Sequence, residues 1–240
     1  MITNEEKAEL AKFSYLKNFR EGNIPAPKMM DLVCETQLNA LGDFVPLKVK
    51  INLGKFKNEI AKYDGKWVPY LAREGEKNDR EGLNYVGLEG DTPFDSISLP
   101  EVRKRTGKLL RETDFTVPTE LFESLPSLKP ISNIWPQLGR CTLVKVNKGG
   151  WFPYHRDSVL MNRNTFRIIA FLTNTSHENY QWEHDSTMRT IEEGRCYYVN
   201  TQKAHRTHSY VHGSIHLVMN IPKTFENVLR TMDLLKHGET

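Results

Sequence analysis

Histidine is unevenly distributed along this 240-residue sequence. None of the eight histidines precedes Trp151, and the first of them, His155, opens a His-Arg-Asp triplet that ends at Asp157. Four more fall close together near the C-terminus: His205, His208, His212 and His216. A His-x-Asp pair on one strand and a distant histidine on another can form a three-ligand face for Fe(II), which leaves coordination positions open for a co-substrate and oxygen.

The spacing of the triplet places two of these ligands on one side of a strand. Side chains two residues apart point the same way in a strand, so His155 and Asp157 share a face and Arg156 points away. The third ligand has to come from a facing strand, and we predict His205, because it follows a predicted strand at 195–200; His208 is the competing candidate. We interpret the other histidines as turn, loop or surface residues, except the one discussed with the last strand below: His177, His184, His212 and His237.

Short apolar segments separated by turn residues follow one another from Gly139 onward. We predict these strands: 141–147, 166–172, 187–191, 195–200 and 214–221. Many short strands with turn signals between them indicate an antiparallel sandwich or barrel. After Pro222, which ends the last strand, an apolar stripe predicts a helix that stops before Gly238.

The first half of the chain has no motif that we can assign to chemistry. We predict, in chain order, a capped helix from Thr3 that ends at Pro25 and Pro27, a half-buried strand at 47–53, long loops at 63–100, a helix at 101–112 and a short helix from Pro118. Aromatic and basic residues among these loops are candidates for shaping a substrate site: Trp67, Tyr70, Arg73, Arg80 and Tyr85.

Composition narrows the classes of partner. The 33 basic and 30 acidic residues nearly balance, and no basic stretch is interleaved with aromatics, so we expect no nucleic-acid partner. No apolar run is long enough to cross a bilayer and the N-terminus lacks a signal-peptide core, so we expect a soluble, cytoplasmic protein without a membrane partner. Three widely spaced cysteines, Cys34, Cys141 and Cys196, are expected to be reduced thiols.

Four stretches of the sequence resemble a known family. They are LGRCTLVKVNKGGWFPYHRDS, FRIIAFL, IEEGRCYYVNTQKAH and SIHLVMNIP, in that order between residues 138 and 222. Their order and spacing are similar to those of the aspartyl/asparaginyl β-hydroxylase family of Fe(II)/2-oxoglutarate-dependent oxygenases, which also contains proline hydroxylases. The resemblance implies a mainly β fold with flanking helices, a cupin-like double-stranded β-helix or jelly roll. It also implies Fe(II), 2-oxoglutarate and O2, with His155, Asp157 and His205 as the iron ligands.

The resemblance also concerns the residues that hold 2-oxoglutarate. Arg167 stands where the family places an arginine on this co-substrate, and a guanidinium suits a carboxylate because it donates two hydrogen bonds. The family usually has an arginine opening the last strand, where this chain has Ser214. We predict that Ser214 and His216, which would share a face, replace that arginine; a different co-substrate and an inactive site are the alternatives.

These expectations lead to one function and two alternatives. We predict N-terminal elements at 1–135 that contribute to the outer sheet and the substrate side, a catalytic jelly roll at 136–222 and a C-terminal helix at 223–240. The predicted activity is hydroxylation of an amino-acid side chain, either a peptidyl Asp or Asn or a free amino acid such as proline, so the partner is a peptide or a small molecule. The alternatives are a zinc or manganese hydrolase that uses the same three ligands and a non-catalytic jelly-roll binding module. No oligomeric state is predicted.

Overall fold

The computed structural model describes residues 29–70, 79–157 and 164–235 of the chain. The predicted first helix, Arg73 and His237 lie outside these ranges. The helices are α1 (Met29–Leu41), α2 (Leu53–Ile60), α3 (Leu99–Thr106), α4 (Glu120–Ser124), α5 (Lys129–Ser132) and α6 (Phe225–Asp233). Single 3-10 turns lie at Ala61–Tyr63, Glu112–Asp114 and Pro126–Leu128. None of the described helices is long and apolar enough to cross a bilayer.

The strands form two antiparallel sheets. In chain order they are β1 (Phe44–Lys50), β2 (Val68–Pro69), β3 (Arg80–Gly87), β4 (Val117–Pro118), β5 (Cys141–Val146), β6 (Trp151–His155), β7 (Thr165–Thr173), β8 (Tyr180–His184), β9 (Thr187–Met188), β10 (Arg195–Val199), β11 (His205–Ser209) and β12 (Ser214–Pro222). The larger sheet has the order β1-β10-β7-β12-β5-β3-β2, with β4 on β3, and the smaller sheet has the order β6-β11-β8-β9.

From β5 onward the chain crosses repeatedly between the sheets. Strands β5, β7, β10 and β12 lie in the larger sheet, and β6, β8, β9 and β11 lie in the smaller one. This winding is a double-stranded β-helix, so the predicted mainly β jelly roll with flanking helices is confirmed. Strands β1 and β3, from before residue 135, extend the larger sheet by pairing with β10 and β5. The three-part division of the chain stays a prediction.

The larger sheet is covered on both faces, which explains its continuous apolar runs. On β7, Ile169 and Phe171 face the smaller sheet, whereas Ile168, Ala170 and Leu172 face the helices. One core of the described residues therefore lies between the two sheets, and a second core lies between the larger sheet and the helices; a smaller third cluster consists of Leu99, Val102 and Phe115. All three cysteines are free and lie fully buried in the second core, deeper than the half-buried positions that we expected.

Several elements differ from the prediction. The early strand starts at Phe44 and stops before Asn52, whose side chain accepts a hydrogen bond from the Lys55 N–H and caps α2. The segment at 63–100, predicted as long loops with short elements, contains the eight-residue strand β3. The strand was missed because its sequence, REGLNYVG, does not alternate, although it is almost wholly buried. Helix α3 ends at Gly107, which adopts a left-handed φ of 66° that favours glycine.

The C-terminal helix is present, and its predicted apolar face is buried in part. Of the residues predicted for that face, Val228, Met232 and Leu235 pack on the second core, and Phe225 and Leu229 do not. Val228 is buried at the centre of α6, whereas Phe225 and Leu229 stay partly exposed. The helix is also anchored by Thr231, whose hydroxyl accepts a hydrogen bond from the Trp135 indole at 3.1 Å. This polar contact fixes α6 against the segment between α5 and β5.

Candidate metal centre

His155, Asp157 and His205 meet at one end of the space between the sheets. His155 ends β6 and His205 begins β11, and the two are direct partners in the antiparallel register, with ring centroids 4.3 Å apart. Asp157 lies just beyond β6, where its N–H donates to the Thr201 carbonyl at 3.0 Å. The ligand atoms of the three side chains lie within 4.8 Å of one another. Two ligands about 2.1 Å from one ion lie at most about 4.2 Å apart, so small side-chain rotations bring all three onto a single ion.

Hydrogen bonds fix which nitrogen of each imidazole faces the site. The Nδ1 of His155 lies 2.6 Å from the Pro153 carbonyl, and the Nδ1 of His205 lies 3.0 Å from the Lys203 carbonyl. A carbonyl oxygen only accepts, so each Nδ1 carries the proton and each Nε2 keeps a free lone pair. A backbone carbonyl on the second nitrogen is the usual support of a metal-binding histidine.

Electrostatics favour the ligating forms of His205 and Asp157. Burial lowers the pKa of His205 to about 4, even though the nearby Asp157 opposes the shift, so this imidazole is neutral near pH 7. Burial alone would raise the pKa of Asp157, but Arg167 and the two histidines hold it below its usual value. Metal ligands bind as neutral imidazole and as carboxylate, and the site presents both forms at neutral pH.

Arg167 lies beside the acidic ligand. Its Nη1 is 3.0 Å from Oδ2 of Asp157, and its Nη2 is 3.7 Å from Oε1 of Glu112. The other oxygen of Asp157, Oδ1, lies 3.7 Å from Nε2 of His155. The carboxylate of Asp157 therefore points one oxygen at the guanidinium and the other at the histidine ligand.

A cavity of about 110 Å³ extends inward from the three ligands. Its size is several times the ~10–15 Å³ that one water needs. Its apolar walls include Val144, Ile169 and Val218. Among the described lining residues, buried polar atoms without a hydrogen-bond partner include Nε1 of Trp182, Nδ1 of His216 and Oδ1 of Asn220. Such atoms are uncommon in native proteins, and a polar ligand in the cavity would satisfy them.

Ser214 and His216 do not act as a pair at this cavity. His216 lines it, but Ser214 does not: its hydroxyl donates to the Asn174 carbonyl at 2.7 Å and lies 2.8 Å from the hydroxyl of Ser209. Strand β12 shifts register against β7 between Ile215 and His216. The hydroxyl of Ser214 therefore links the start of β12 to Asn174, just after β7, and to Ser209, at the end of β11.

The competing histidine lies on the other face of β11. His208 lines a groove on the outer side of the smaller sheet together with Trp151, Tyr154 and Tyr210. The structure thus brings His205, and not His208, to His155 and Asp157.

Our interpretation of His184 as a surface residue is wrong. It is fully buried on β8, a strand that the sequence did not suggest, and its ring centroid lies 6.2 Å from that of His205. His184 differs from the two ligand histidines because its Nε2 is the atom that meets a carbonyl, that of Asn200 at 3.0 Å. Its proximity alone does not make it a ligand.

Sequence reasoning also missed a buried ion pair at the cavity wall. Nε and Nη2 of Arg140 donate to the two carboxylate oxygens of Glu112 at 2.6 and 3.1 Å, and both residues are almost fully buried. Arg140 precedes an apolar strand, as Arg167 precedes the apolar run IIAFL, and this shared position could have identified it. No comparable signal marks Glu112, because its partner is 28 positions away in the sequence.

The residues proposed to shape a substrate site separate in the structure. Tyr70 lines the cavity, and the guanidinium of Arg80 lies 3.9 Å from the ring centroid of Phe152, another lining residue. Trp67 and Tyr85 instead belong to the core between the larger sheet and the helices.

Comparison with known proteins finds distant matches among solved structures. No protein-family model matches the chain, and no curated protein matches it. A 2OG-Fe(II) oxygenase family oxidoreductase from Burkholderia pseudomallei is 14% identical with a TM-score of 0.41, over 83% of this chain and 93% of that one. A Pseudomonas putida prolyl-4-hydroxylase is 10% identical with a TM-score of 0.45, over 79% and 98%. A Trichoplax adhaerens prolyl hydroxylase, in complex with a hypoxia inducible factor peptide fragment, has the same identity and TM-score, over 85% and 97%.

Proposed function

We propose that this protein is an Fe(II)- and 2-oxoglutarate-dependent oxygenase that hydroxylates an amino-acid side chain, in a peptide or in a free amino acid. The observation that carries the proposal is the face formed by His155, Asp157 and His205, with both imidazoles fixed by backbone carbonyls. Two histidines and one carboxylate on a single face are the ligand set of non-haem Fe(II) oxygenases.

The residues present fit that metal. The donors are two imidazole nitrogens and a carboxylate oxygen, and no thiol occurs among the described residues that line the cavity. Cys141 and Cys196 lie in the core on the other side of the larger sheet, where burial raises the pKa of both thiols. A site without thiolate favours Fe(II) over the metals that soft ligands select.

The charges around the cavity suit a cation together with a dianion. Among the described residues here, the guanidinium groups of Arg140 and Arg167 balance the carboxylates of Glu112 and Asp157. A divalent cation alone would leave two unbalanced positive charges in a poorly hydrated space, which is costly. A dicarboxylate such as 2-oxoglutarate restores the balance, and this supports it as the co-substrate.

The chain contributes binding, orientation and exclusion of water. Fe(II) with 2-oxoglutarate and O2 supplies the oxidising chemistry when bound. His155, Asp157 and His205 would hold the metal from one side, and the guanidinium of Arg167 would bind a carboxylate of the co-substrate by hydrogen bonds. Ile169, Val218 and the other apolar lining residues would keep bulk water away.

The exposure of the ligands indicates the side from which a substrate approaches. The side chain of His155 is 32% exposed, whereas His205 is buried beneath Trp182, with the two rings stacked 5.7 Å apart. The substrate therefore reaches the metal past His155, and Tyr70 lies among the residues that it would meet. Both a peptide and a small molecule fit this approach.

No observation favours the hydrolase. A zinc or manganese hydrolase needs a general base beside its metal-bound water. Asp157 is the one acidic residue among the described residues lining the cavity, and it would be a ligand. Glu112, behind the wall, is committed to Arg140.

The proposal is tested by loading the protein anaerobically with Fe(II), adding 2-oxoglutarate and O2, and measuring succinate release. We expect turnover that depends on all three components. His205→Ala should lose metal and turnover, whereas the matched variant His208→Ala, on the outer face of the same strand, should keep both. A wild-type protein that neither releases succinate nor binds 2-oxoglutarate with Fe(II) present would exclude the oxygenase, and retention of metal by His205→Ala would move the third ligand elsewhere.

A further inference from the structure

Glu112 lies between two arginines at the metal end of the cavity. Its carboxylate accepts two hydrogen bonds from Arg140, and its Oε1 also lies 3.7 Å from Nη2 of Arg167. Only 2% of Glu112 is exposed. A carboxylate so far from water is stable only beside positive charge, and here it is shared by two cations.

The first of these cations is held rigidly. Besides its two bonds to Glu112, Arg140 donates through Nη1 to the Ile97 carbonyl at 2.7 Å and to the Thr142 hydroxyl at 3.1 Å. These contacts leave the guanidinium little freedom to turn. The two hydrogen bonds from Arg140 therefore hold the Glu112 carboxylate in place. Its negative charge acts on Arg167 from a fixed position.

The backbone of Glu112 is fixed as well. The Arg140 N–H donates to the Glu112 carbonyl at 2.8 Å, and the neighbouring Gly139 N–H donates to the Asn220 carbonyl at 2.8 Å. A Cβ at Gly139 would lie 2.6 Å from the Glu112 carbonyl oxygen, closer than side-chain carbons come. Glycine at 139 thus lets the turn that carries Glu112 pack directly onto the start of β5.

The four charged side chains form an alternating series that ends at the metal ligands. It runs Arg140, Glu112, Arg167, Asp157, with guanidinium-to-carboxylate distances of 2.6, 3.7 and 3.0 Å. Because Arg167 takes Oδ2 of Asp157, Oδ1 is the oxygen left facing His155. The orientation of the acidic ligand therefore depends on where Arg167 is held.

We propose that Glu112 is a positioning residue for the metal centre, acting through Arg167 on Asp157; the inference rests on the proposed function. Glu112 draws part of the charge of Arg167 away from Asp157 and keeps the guanidinium at one oxygen of that carboxylate. With the neutral Glu112→Gln, the charge of Arg167 falls on Asp157 alone and competes with the cation. Loss of a direct partner of a metal ligand typically weakens metal affinity about 10–100-fold. Because Glu112 acts through Arg167, one contact further out, we expect a loss at the lower end of that range.

The experiment measures Mn(II) binding by calorimetry, so that it does not depend on activity. Glu112→Gln keeps the shape of the side chain but not its charge, and Glu112→Asp keeps the charge on a shorter side chain. If charge positions Arg167, Glu112→Asp retains more affinity than Glu112→Gln. If the residue only fills space, the order is reversed, and that result would overturn the proposal.

Glu81→Gln is the matched control. Glu81 also accepts from a cation and an amide, Lys145 and Asn147, but it is partly exposed and does not line the cavity. Its replacement should leave the Mn(II) dissociation constant unchanged. Unfolding temperatures of all variants separate folding from binding. If Glu112→Gln does not fold, Glu112→Asp against wild type decides, because the shorter side chain draws the carboxylate back from Arg167. The proposal then requires Glu112→Asp to bind Mn(II) more weakly than wild type, and an unchanged affinity defeats it.

The same measurement separates this inference from the proposed function. A wild-type protein that binds no Mn(II) contradicts the metal centre itself. If wild type binds Mn(II) and the dissociation constants of both Glu112 variants lie within about twofold of the wild-type value, only the role of Glu112 is contradicted. The expected effect of losing this partner is about tenfold.

Discussion

At the scale of single residues, the hydrogen bond on the second imidazole nitrogen distinguishes the candidate ligands from their neighbour. His155 and His205 each place Nδ1 on a carbonyl, which leaves Nε2 free toward Asp157. His184, in the same row of the smaller sheet, places Nε2 on a carbonyl instead. Because neutral imidazole has one donor and one acceptor, this difference decides which nitrogen is available to a metal.

Asp157 and a carboxylate of 2-oxoglutarate would compete for the guanidinium of Arg167. Asp157 neutralises it at 3.0 Å, so in protein stripped of metal with EDTA we expect weak binding of 2-oxoglutarate. Asp157→Asn removes that competitor and should tighten binding to the stripped protein about tenfold, because a charge-assisted hydrogen bond contributes roughly 1.5–3 kcal/mol. Calorimetric titration of stripped wild type and variant measures the effect.

Arg167→Gln in the same titration is the control, and it should abolish the gain when combined with Asp157→Asn. Equal affinity of stripped Asp157→Asn and wild type would show that Arg167 does not bind the co-substrate. With iron present Asp157→Asn is harmful, because the variant lacks a metal ligand. Its turnover should fall to background.

At the scale of elements, the winding between the sheets creates the site. Strands β6 and β11 are neighbours in the smaller sheet although their first residues, Trp151 and His205, are far apart in sequence. Their pairing sets His205 opposite His155. The larger sheet then supplies Arg140, Arg167 and Asn220 from three of its strands or their ends. Ligands on paired strands are held more precisely than ligands on loops.

Helix α6 covers the outer face of the larger sheet and depends on its first turn. The Thr224 hydroxyl accepts from the Asn227 N–H at 3.2 Å and caps the helix. Thr224→Ala should lower the free energy of unfolding by about 1 kcal/mol, the usual contribution of such a cap. Urea denaturation measures this change.

Thr36→Ala is a suitable comparison, because the hydroxyl of Thr36 donates to Leu32 within a helix and caps nothing. Its unfolding free energy should stay within about 0.5 kcal/mol of wild type. A loss at Thr224 no larger than the loss at Thr36 would mean that the cap does not stabilise α6.

At the scale of the whole molecule, the core between the sheets contains buried histidines and is sensitive to acid. Burial lowers the pKa of His216 to about 3, against about 6.5 in the unfolded chain. Below pH 6.5 the unfolded chain binds a proton that the folded protein does not, so stability falls as the pH drops from about 6.5 toward 3. His205, with a pKa of about 4, acts in the same direction.

His216→Leu removes one of these groups and keeps an apolar side chain against Phe171. We expect the loss of unfolding free energy between pH 7 and pH 5 to be smaller in the variant than in wild type, with urea denaturation at each pH as the measurement. An equal loss in both proteins would show that His216 does not stay neutral in the folded protein.

Short-range periodicity made several strands and part of the candidate site predictable from the amino-acid sequence. Apolar runs bounded by turns predicted four strands of the jelly roll to within about two residues, and the His-x-Asp spacing identified two of the candidate ligands. An apolar stretch with β-branched residues shows its strand character in a few neighbouring positions, so no distant contact is needed to predict it.

The residues from distant parts of the chain that share the site could not all be predicted, and the folded structure identifies them. It separated His205 from His208, removed Ser214 from the cavity and added the pair of Glu112 and Arg140. It also placed β3 and β8 in the sheets. Strand β3 does not alternate, and β8, whose sequence YQWEH does alternate, lies in a stretch that we interpreted as a loop. The physical reason is that charge pairing and burial act between side chains that meet only when strands far apart in sequence are brought into register.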